Sequence, residues 1–261
     1  MSTPSELRKP ATSAEPLLRV REAEKRFGAV VALDGVSLDL YRGEVLAVLG
    51  DNGAGKSTLM KCISGSQRLD GGAIELEGRP LSLRSPHDAR RHGVETVYQD
   101  LALFDNLDVE ANFFAGRELV AKRTLGWLNK KQMRRNALSV LERLEVSIPS
   151  LQTPVGLLSV GQRQAIAVVR AVNFASRIVI LDEPTAALGV RETRNVLRLV
   201  KRLPEQGISV ILVSHNLDQV AEVADRAVVI RRGRRIGEAR PDAANHDHIV
   251  SMIVGAPSVA G

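Results

Sequence analysis

Nine consecutive residues, Gly50-Asp51-Asn52-Gly53-Ala54-Gly55-Lys56-Ser57-Thr58, follow a short apolar run and match the spacing G-x-x-x-x-G-K-[ST]. Glycines at these positions let the backbone bend so that successive N–H groups converge on phosphate oxygens, and the helix that follows adds the positive end of its dipole. Lys56 is then placed to reach β- and γ-phosphates, the Ser57 hydroxyl to meet Mg²⁺, and Thr58 to lie near an α-phosphate. Further along, Ile178-Val179-Ile180-Leu181 ends in Asp182-Glu183, an acidic pair of which the first can hold the Mg²⁺ shell and the second can polarise a water. Residues 210–213 end in Ser214-His215, and residues 94–98 end in Gln99. An imidazole at such a strand end can donate to a γ-phosphate, and the Gln99 amide can touch both Mg²⁺ and a water. This chemistry fits GTPases, small-molecule kinases and motor ATPases alike.

These groups need a scaffold that brings strand ends together. Residues 45–49, 178–181 and 210–213 are continuous apolar runs, as expected of strands buried on both faces of a parallel sheet. Helical patterns at 56–64, 161–174, 190–203 and up to 223, with a strand at 227–230, alternate with them, so an α/β fold with helices on both faces of the sheet is predicted. Ahead of these, residues 17–20 open a strand and 36–40 alternate with period two. Pieces at 73–76 and 81–83, separated by glycine-rich turns, suggest a small antiparallel sheet. The stretch 109–144 reads as helical, its apolar face marked by Met133, Ala137, Leu141 and Leu144, so a helical subdomain of about 100–175 is expected within one domain of 17–255. Residues 1–16 and 256–261 are expected to be tails, the first mobile and polar.

The 261 residues carry 36 Lys plus Arg against 30 Asp plus Glu, a net charge of +6, with 44% hydrophobic residues. This is a globular composition. The apolar runs are far shorter than the ~20 residues that span a bilayer, and the N-terminus has no signal-peptide pattern, so a cytosolic chain is expected. One cysteine, Cys62, excludes an intrachain disulfide and fits a small buried residue. With 3% aromatic residues, the stacking platforms of a single-strand nucleic-acid binder are scarce. The basic group Arg117, Lys122, Arg123, Lys130, Lys131, Arg134 and Arg135 reads mainly as a solvated helical face, with lipid headgroups or membrane subunits as the alternative. Residues 231–235, Arg-Arg-Gly-Arg-Arg, read as a hairpin turn, and Trp127 has no evident partner.

The choice among nucleotide enzymes comes from Leu158-Ser159-Val160-Gly161-Gln162. In order with the phosphate loop, Gln99, Asp182-Glu183-Pro184-Thr185 and His215, it resembles the L-S-G-G-Q signature of the ATP-binding cassette (ABC) family over residues 17–237. The resemblance implies a P-loop NTPase cassette with a mixed, mainly parallel sheet, a small antiparallel β-subdomain and a helical subdomain. It implies Mg²⁺ and ATP as ligands. It also implies a head-to-tail dimer in which Ser159, Gly161 and Gln162 of one copy face the ATP held by the other. Phe27, in Lys25-Arg26-Phe27-Gly28, matches the aromatic that stacks on adenine, with a core residue as the plain alternative. Catalytic roles carried by resemblance fall to Glu183, His215, Lys56 and Gln99.

Two departures stand out. Val160 replaces the first signature glycine, a costly change if positive φ is needed there, and Gly189 stands where many relatives carry Asp. Both are similar to the monosaccharide-importer branch, above all its fructose-import members. Further likenesses lie at 50–55, Ser85-Pro86, 95–99, Leu101-Ala102-Leu103 and Gly116-Arg117-Glu118. A peripheral subunit on the cytoplasmic face of the bacterial inner membrane is thus implied, working with a permease and, indirectly, a periplasmic sugar-binding protein, without nucleic acid. Importers of other solutes, such as branched-chain amino acids, and soluble cassettes acting on ribosomes or cofactor assembly remain open on these residues.

Overall fold

The computed structural model describes residues 15–121 and 127–255. Four strands, β1 (Leu18–Phe27), β2 (Val30–Leu40), β4 (Gly71–Leu76) and β5 (Arg79–Pro80), form an antiparallel sheet in the order β2-β1-β4-β5. Six others, β3 (Val45–Leu49), β6 (Val94–Val97), β7 (Ile178–Asp182), β8 (Ser209–Val213), β9 (Arg226–Arg231) and β10 (Arg234–Ala239), form the second sheet in the order β10-β9-β3-β8-β7-β6. Only the β9–β10 pair of this sheet is antiparallel. The helices are α1 (Lys56–Ile63), α2 (Pro86–Arg91), α3 (Val109–Phe114), α4 (Lys130–Arg143), α5 (Val160–Phe174), α6 (Val190–Arg202), α7 (Leu217–Val223) and α8 (His246–Val254).

Consecutive residues of the central strands enter two different cores. Val45, Ala47, Leu49, Val179, Leu181, Val210 and Leu212 pack with the helical side, α3 to α8. Leu46, Val48, Ile178, Ile180, Ile211 and Val213 pack with α1, α2 and the antiparallel sheet. Such double burial, worth roughly 1.5–3 kcal/mol per large apolar side chain, explains why these strands read as unbroken apolar runs. Their entry is also tied down: Val45 N donates to Asp225 Oδ2 at 2.8 Å, and Arg226 pairs with the buried Glu44 at 2.8 Å.

Elsewhere the elements differ from expectation. The stretch 81–83 is not a strand; the pairing segment is Arg79–Pro80, where proline sits on a short edge strand. The helical pattern of 109–144 is broken into α3 and α4, and between them Val120 bridges Leu128 in antiparallel fashion. Strand β1 extends beyond 17–20 to Phe27, through register shifts that destroy simple alternation. Helices α2 and α8 were not foreseen. Leu17 is buried, and its N–H donates to Leu40 O at 2.8 Å; residues 1–14 and 256–261, within the expected tails, lie outside the described residues, as do Lys122 and Arg123.

Candidate functional site

Sheet register gathers the predicted residues on one edge. Val48 pairs with Val213, Val213 with Asp182, and Leu181 with Val97. Gly50, His215, Glu183 and Gln99 each lie one or two residues beyond these pairs, at the carboxyl ends of four adjacent parallel strands, where open α/β sheets bind ligands.

The phosphate loop turns through three glycines of positive φ: Gly50 at 154°, Gly53 at 78° and Gly55 at 107°. At Gly55 a Cβ would come within 2.6 Å of the Ala32 carbonyl oxygen, so both backbone angle and space require glycine. Gly55 leads α1 with no side-chain cap, which leaves the first helical N–H groups available to phosphate oxygens. Lys56 is buried, and its Nζ donates to Gly50 O at 2.7 Å and Asp51 O at 3.0 Å, which holds the ammonium inside the loop's curve. Asp51, Asn52 and Gly53 are exposed along the loop, and Ala54 is buried beneath it.

Asp182 is partly buried, which pushes its carboxyl above the ordinary aspartate value; a hydrogen bond from Ser57 and the charge of Lys56 oppose this. Its Oδ1 is buried without a hydrogen-bond partner. An unsatisfied anionic oxygen beside a serine hydroxyl fits a hard divalent cation such as Mg²⁺, which takes one or two carboxylates plus substrate phosphates. Among the described residues no three metal-binding carboxylate, thiol or imidazole groups converge, so the phosphate oxygens are needed to complete such a site.

Glu183 adopts φ of 52°, a left-handed angle that costs a non-glycine residue about 1 kcal/mol or more. The angle is held by its N–H donating to Val213 O at 3.0 Å, and it brings Glu183 Oε2 to 2.9 Å from His215 Nδ1. His215 is exposed while Glu183 is largely covered. Gln99 is exposed just past β6. Phe27 is 46% exposed at the tip of the β1–β2 hairpin, with Lys25 Nζ 5.6 Å from its ring centre, so it is not a core residue. Five and six residues on, Ala32 and Leu33 touch the Gly55 position, which places this hairpin beside the loop.

The signature occupies a different part of the molecule, at the start of α5. Ser159 caps the helix, accepting from Gln162 N at 3.2 Å, while Gln162 Oε1 accepts from Ser159 N at 3.0 Å. Val160 is the first helical residue and has no positive φ, so the anticipated backbone cost is absent. Gly161 is required for space: a Cβ there would lie 2.6 Å from Glu192 Cγ on α6. Glu192 also reaches back to Gly189, the uncapped residue that leads α6.

Several functional neighbours were not evident from sequence. Arg170, on the signature helix α5, donates to Ala102 O at 2.9 Å and Leu101 O at 3.0 Å, clamping the segment that follows Gln99. A single arginine within the buried run of α5 was the available signal. Segments 105–110 and 151–156 are also paired through their backbones, including Val155 N to Leu107 O at 3.0 Å. The hairpin turn at 231–235 was foreseen, but not its contact: Gly233 N donates to Ala54 O at 2.9 Å, so this turn braces the phosphate loop. Arg117 leaves the solvated group, since it pairs with Glu95 at 2.7 Å and lies over the Phe174 ring. Cys62 is buried as expected, and Trp127 is 76% exposed.

Comparison with known proteins matches the ABC transporter family model to residues 33–186. The chain is 46% identical over 237 residues to the xylose/arabinose import ATP-binding protein XylG of Sulfolobus acidocaldarius, covering 91% of this chain and 93% of that protein. It is 46% identical to the fructose import ATP-binding protein FrcA of Rhizobium meliloti, over 93% and 95% of the two chains. Against the ribose import ATP-binding protein RbsA 1 of Rubrobacter xylanophilus, at 45% identity, it spans only 47% of the relative. Among solved structures, a nucleotide-free ATP-binding cassette superposes with a TM-score of 0.78 at 25% identity, over 94% of this chain and 97% of that one. A cassette in its ADP conformation gives 0.79 at 26%, over 93% and 100%. With the phosphate loop, the acidic strand end and the capped signature all present, the chain belongs to the ABC transporter family as one of its ATPase cassettes.

Proposed function

We propose that this chain is the ATP-hydrolysing subunit of an importer that takes up a monosaccharide through a separate permease, two copies pairing head to tail. The observation that carries the reading is similarity along more than 90% of both chains to two sugar-import ATP-binding proteins of the same length. In this reading Phe27 stacks on adenine, and residues 50–58 cradle the phosphates. Lys56 keeps its ammonium at the loop, where it offsets charge on the β- and γ-phosphates, and Thr58 lies near the α-phosphate. Ser57, Asp182 and Gln99 would hold Mg²⁺, which when bound supplies charge neutralisation on the phosphate oxygens.

Glu183 takes the proton of the attacking water. The hydrogen bond to His215 orients this carboxylate and leaves His215 Nε2 to face the γ-phosphate. With the Nδ1 proton given to Glu183, Nε2 donates to phosphate only in the imidazolium form. Ser159, the Gly161 N–H and Gln162 serve the ATP of the partner copy, consistent with the exposure of Ser159 and the partial exposure of Gly161 and Gln162 on this one. A peripheral position at the inner membrane accords with the described helices, none of which is long and apolar enough to cross a bilayer.

The test is reconstitution in proteoliposomes with a candidate sugar permease and its binding protein. Stimulation of ATP hydrolysis by a monosaccharide-loaded binding protein supports the reading. Stimulation by branched-chain amino acids, or co-sedimentation with ribosomes in place of membranes, replaces it.

A further inference from the structure

The net charge of the chain is concentrated in one place. Residues 119–135 contain six basic residues and no acidic one, so the rest of the chain balances at 30 against 30. Four of the six, Lys130, Lys131, Arg134 and Arg135, are exposed on the first half of α4. Arg134 and Arg135 meet only the neutral Gln152 and Gln132, and among the described residues no carboxylate forms a salt bridge with any of the four.

The placement is electrostatically unfavourable within the protein itself. The first turn of α4 contains two lysines and no acid, at the helix end whose dipole is already positive. Asn129 caps this turn, its Oδ1 accepting from Gln132 N at 3.1 Å, but no carboxylate among the described residues pairs with its lysines.

Directly before that turn the chain exposes apolar surface. Val120, Trp127 and Leu128 are 54%, 76% and 45% exposed. They are held together by the Val120–Leu128 bridge and by Ala121 N donating to Trp127 O at 2.9 Å, with Asn129 N on Leu119 O at 2.7 Å. A tryptophan beside aliphatic side chains, next to uncompensated lysines and arginines, is the combination found where proteins rest in the headgroup layer of anionic bilayers.

The geometry points to a lipid-docking surface, formed by Val120, Trp127, Leu128, Lys130, Lys131 and Arg134, that rests on the anionic face of the membrane. Trp127 and Leu128 enter the headgroup boundary, and the basic turn of α4 meets lipid phosphates. The contact gives the cassette an attachment to the bilayer separate from its permease. It rests on the importer reading only in so far as that reading places the chain at a membrane.

Trp127 is the only tryptophan of the chain, so tryptophan emission, excited where the two tyrosines do not absorb, reports this surface alone. The purified full chain is mixed with vesicles of phosphatidylglycerol and phosphatidylcholine, or of phosphatidylcholine alone, without permease and without ATP. Emission moving to shorter wavelength and co-flotation with anionic vesicles, both weakened by salt, are expected. Because each basic residue near such a surface contributes about fivefold, the combined Lys130→Gln, Lys131→Gln, Arg134→Gln variant should bind on the order of a hundredfold more weakly, with ATP binding retained as the check on folding. Unchanged emission with anionic vesicles at low salt overturns the proposal. So does equal binding to phosphatidylcholine, or a shift that appears only when solubilised permease is added. Since no step requires turnover or sugar, failure here leaves the importer reading standing, and failure of that reading leaves this result interpretable.

Discussion

In the proposed function, the sheet edge and the signature face solve the same problem, holding groups against a nucleotide, by opposite means. At the edge, Asp182 ends β7, Glu183 follows it and Lys56 opens the helix after β3, strands whose residues are buried alternately in two cores, and even a strained angle at Glu183 is enforced by the adjacent strand. At the signature, Ser159 and Val160 are exposed, and order comes from a capping box and from loop-to-loop pairing. The edge is complete within one copy. The signature is a surface that, in the proposed head-to-tail dimer, would serve the partner copy.

The most severe way to break the edge alone is Glu183→Gln, which should lower turnover by about 10²–10⁴ while ATP binding persists and dimers accumulate on gel filtration. Wild-type turnover would remove Glu183 from its role. Lys56→Ala should weaken ATP binding by about a hundredfold, measured by fluorescent-nucleotide titration.

The converse variant, Ser159→Ala, is expected to leave ATP affinity of the separate copy unchanged but to cost most of the turnover, together with about 1 kcal/mol of helix capping. Mixing Lys56→Ala with Ser159→Ala protein should restore activity in part, since the mixed dimer regains one intact composite site. Absence of any recovery would argue against head-to-tail pairing.

Gly161→Ala sharpens the contrast in stability: its methyl would press on Glu192, and about 1–3 kcal/mol of destabilisation is expected in thermal melts. The smallest functional effect belongs to Cys62, where burial pushes the thiol up to about 11. Relative to an ordinary thiol at 9.0, that leaves about a hundredfold less thiolate at pH 8. Alkylation of the native chain should therefore be slow, should become fast on unfolding, and should not alter activity while it remains slow.

What was legible in the sequence follows from the same contrast. Strands buried on both faces leave unbroken apolar runs, and the chemistry sits at their ends, so residues 50–58, 182–183 and 215 could be placed without coordinates. Helix α2 is only six residues long and α8 only nine, too short to repeat an apolar face; the Ser85 cap and Pro86 were the only punctuation for α2. Bulges in β1 scrambled its alternation. The carbonyl clamp by Arg170 and the bracing of Ala54 by Gly233 join residues 68 and 179 positions apart, a relation that local pattern cannot contain. The concern over Val160 arose from assuming that a signature glycine serves backbone angle; at Gly161 the requirement is space, and at 160 neither applies.

Glu192 draws a further consequence from that crowding. Its Cβ and Cγ lie against Gly161 of the signature, close to the α6 backbone, whereas only its flexible carboxylate end nears Gly189, so positions 161 and 192 cannot vary independently. Evolutionary drift should therefore leave a pair of covarying sites: a lineage that acquires a Cβ at 161 is expected to shorten residue 192 at the same time, and a homologue family in which 192 keeps a long acid while 161 carries a side chain would contradict this.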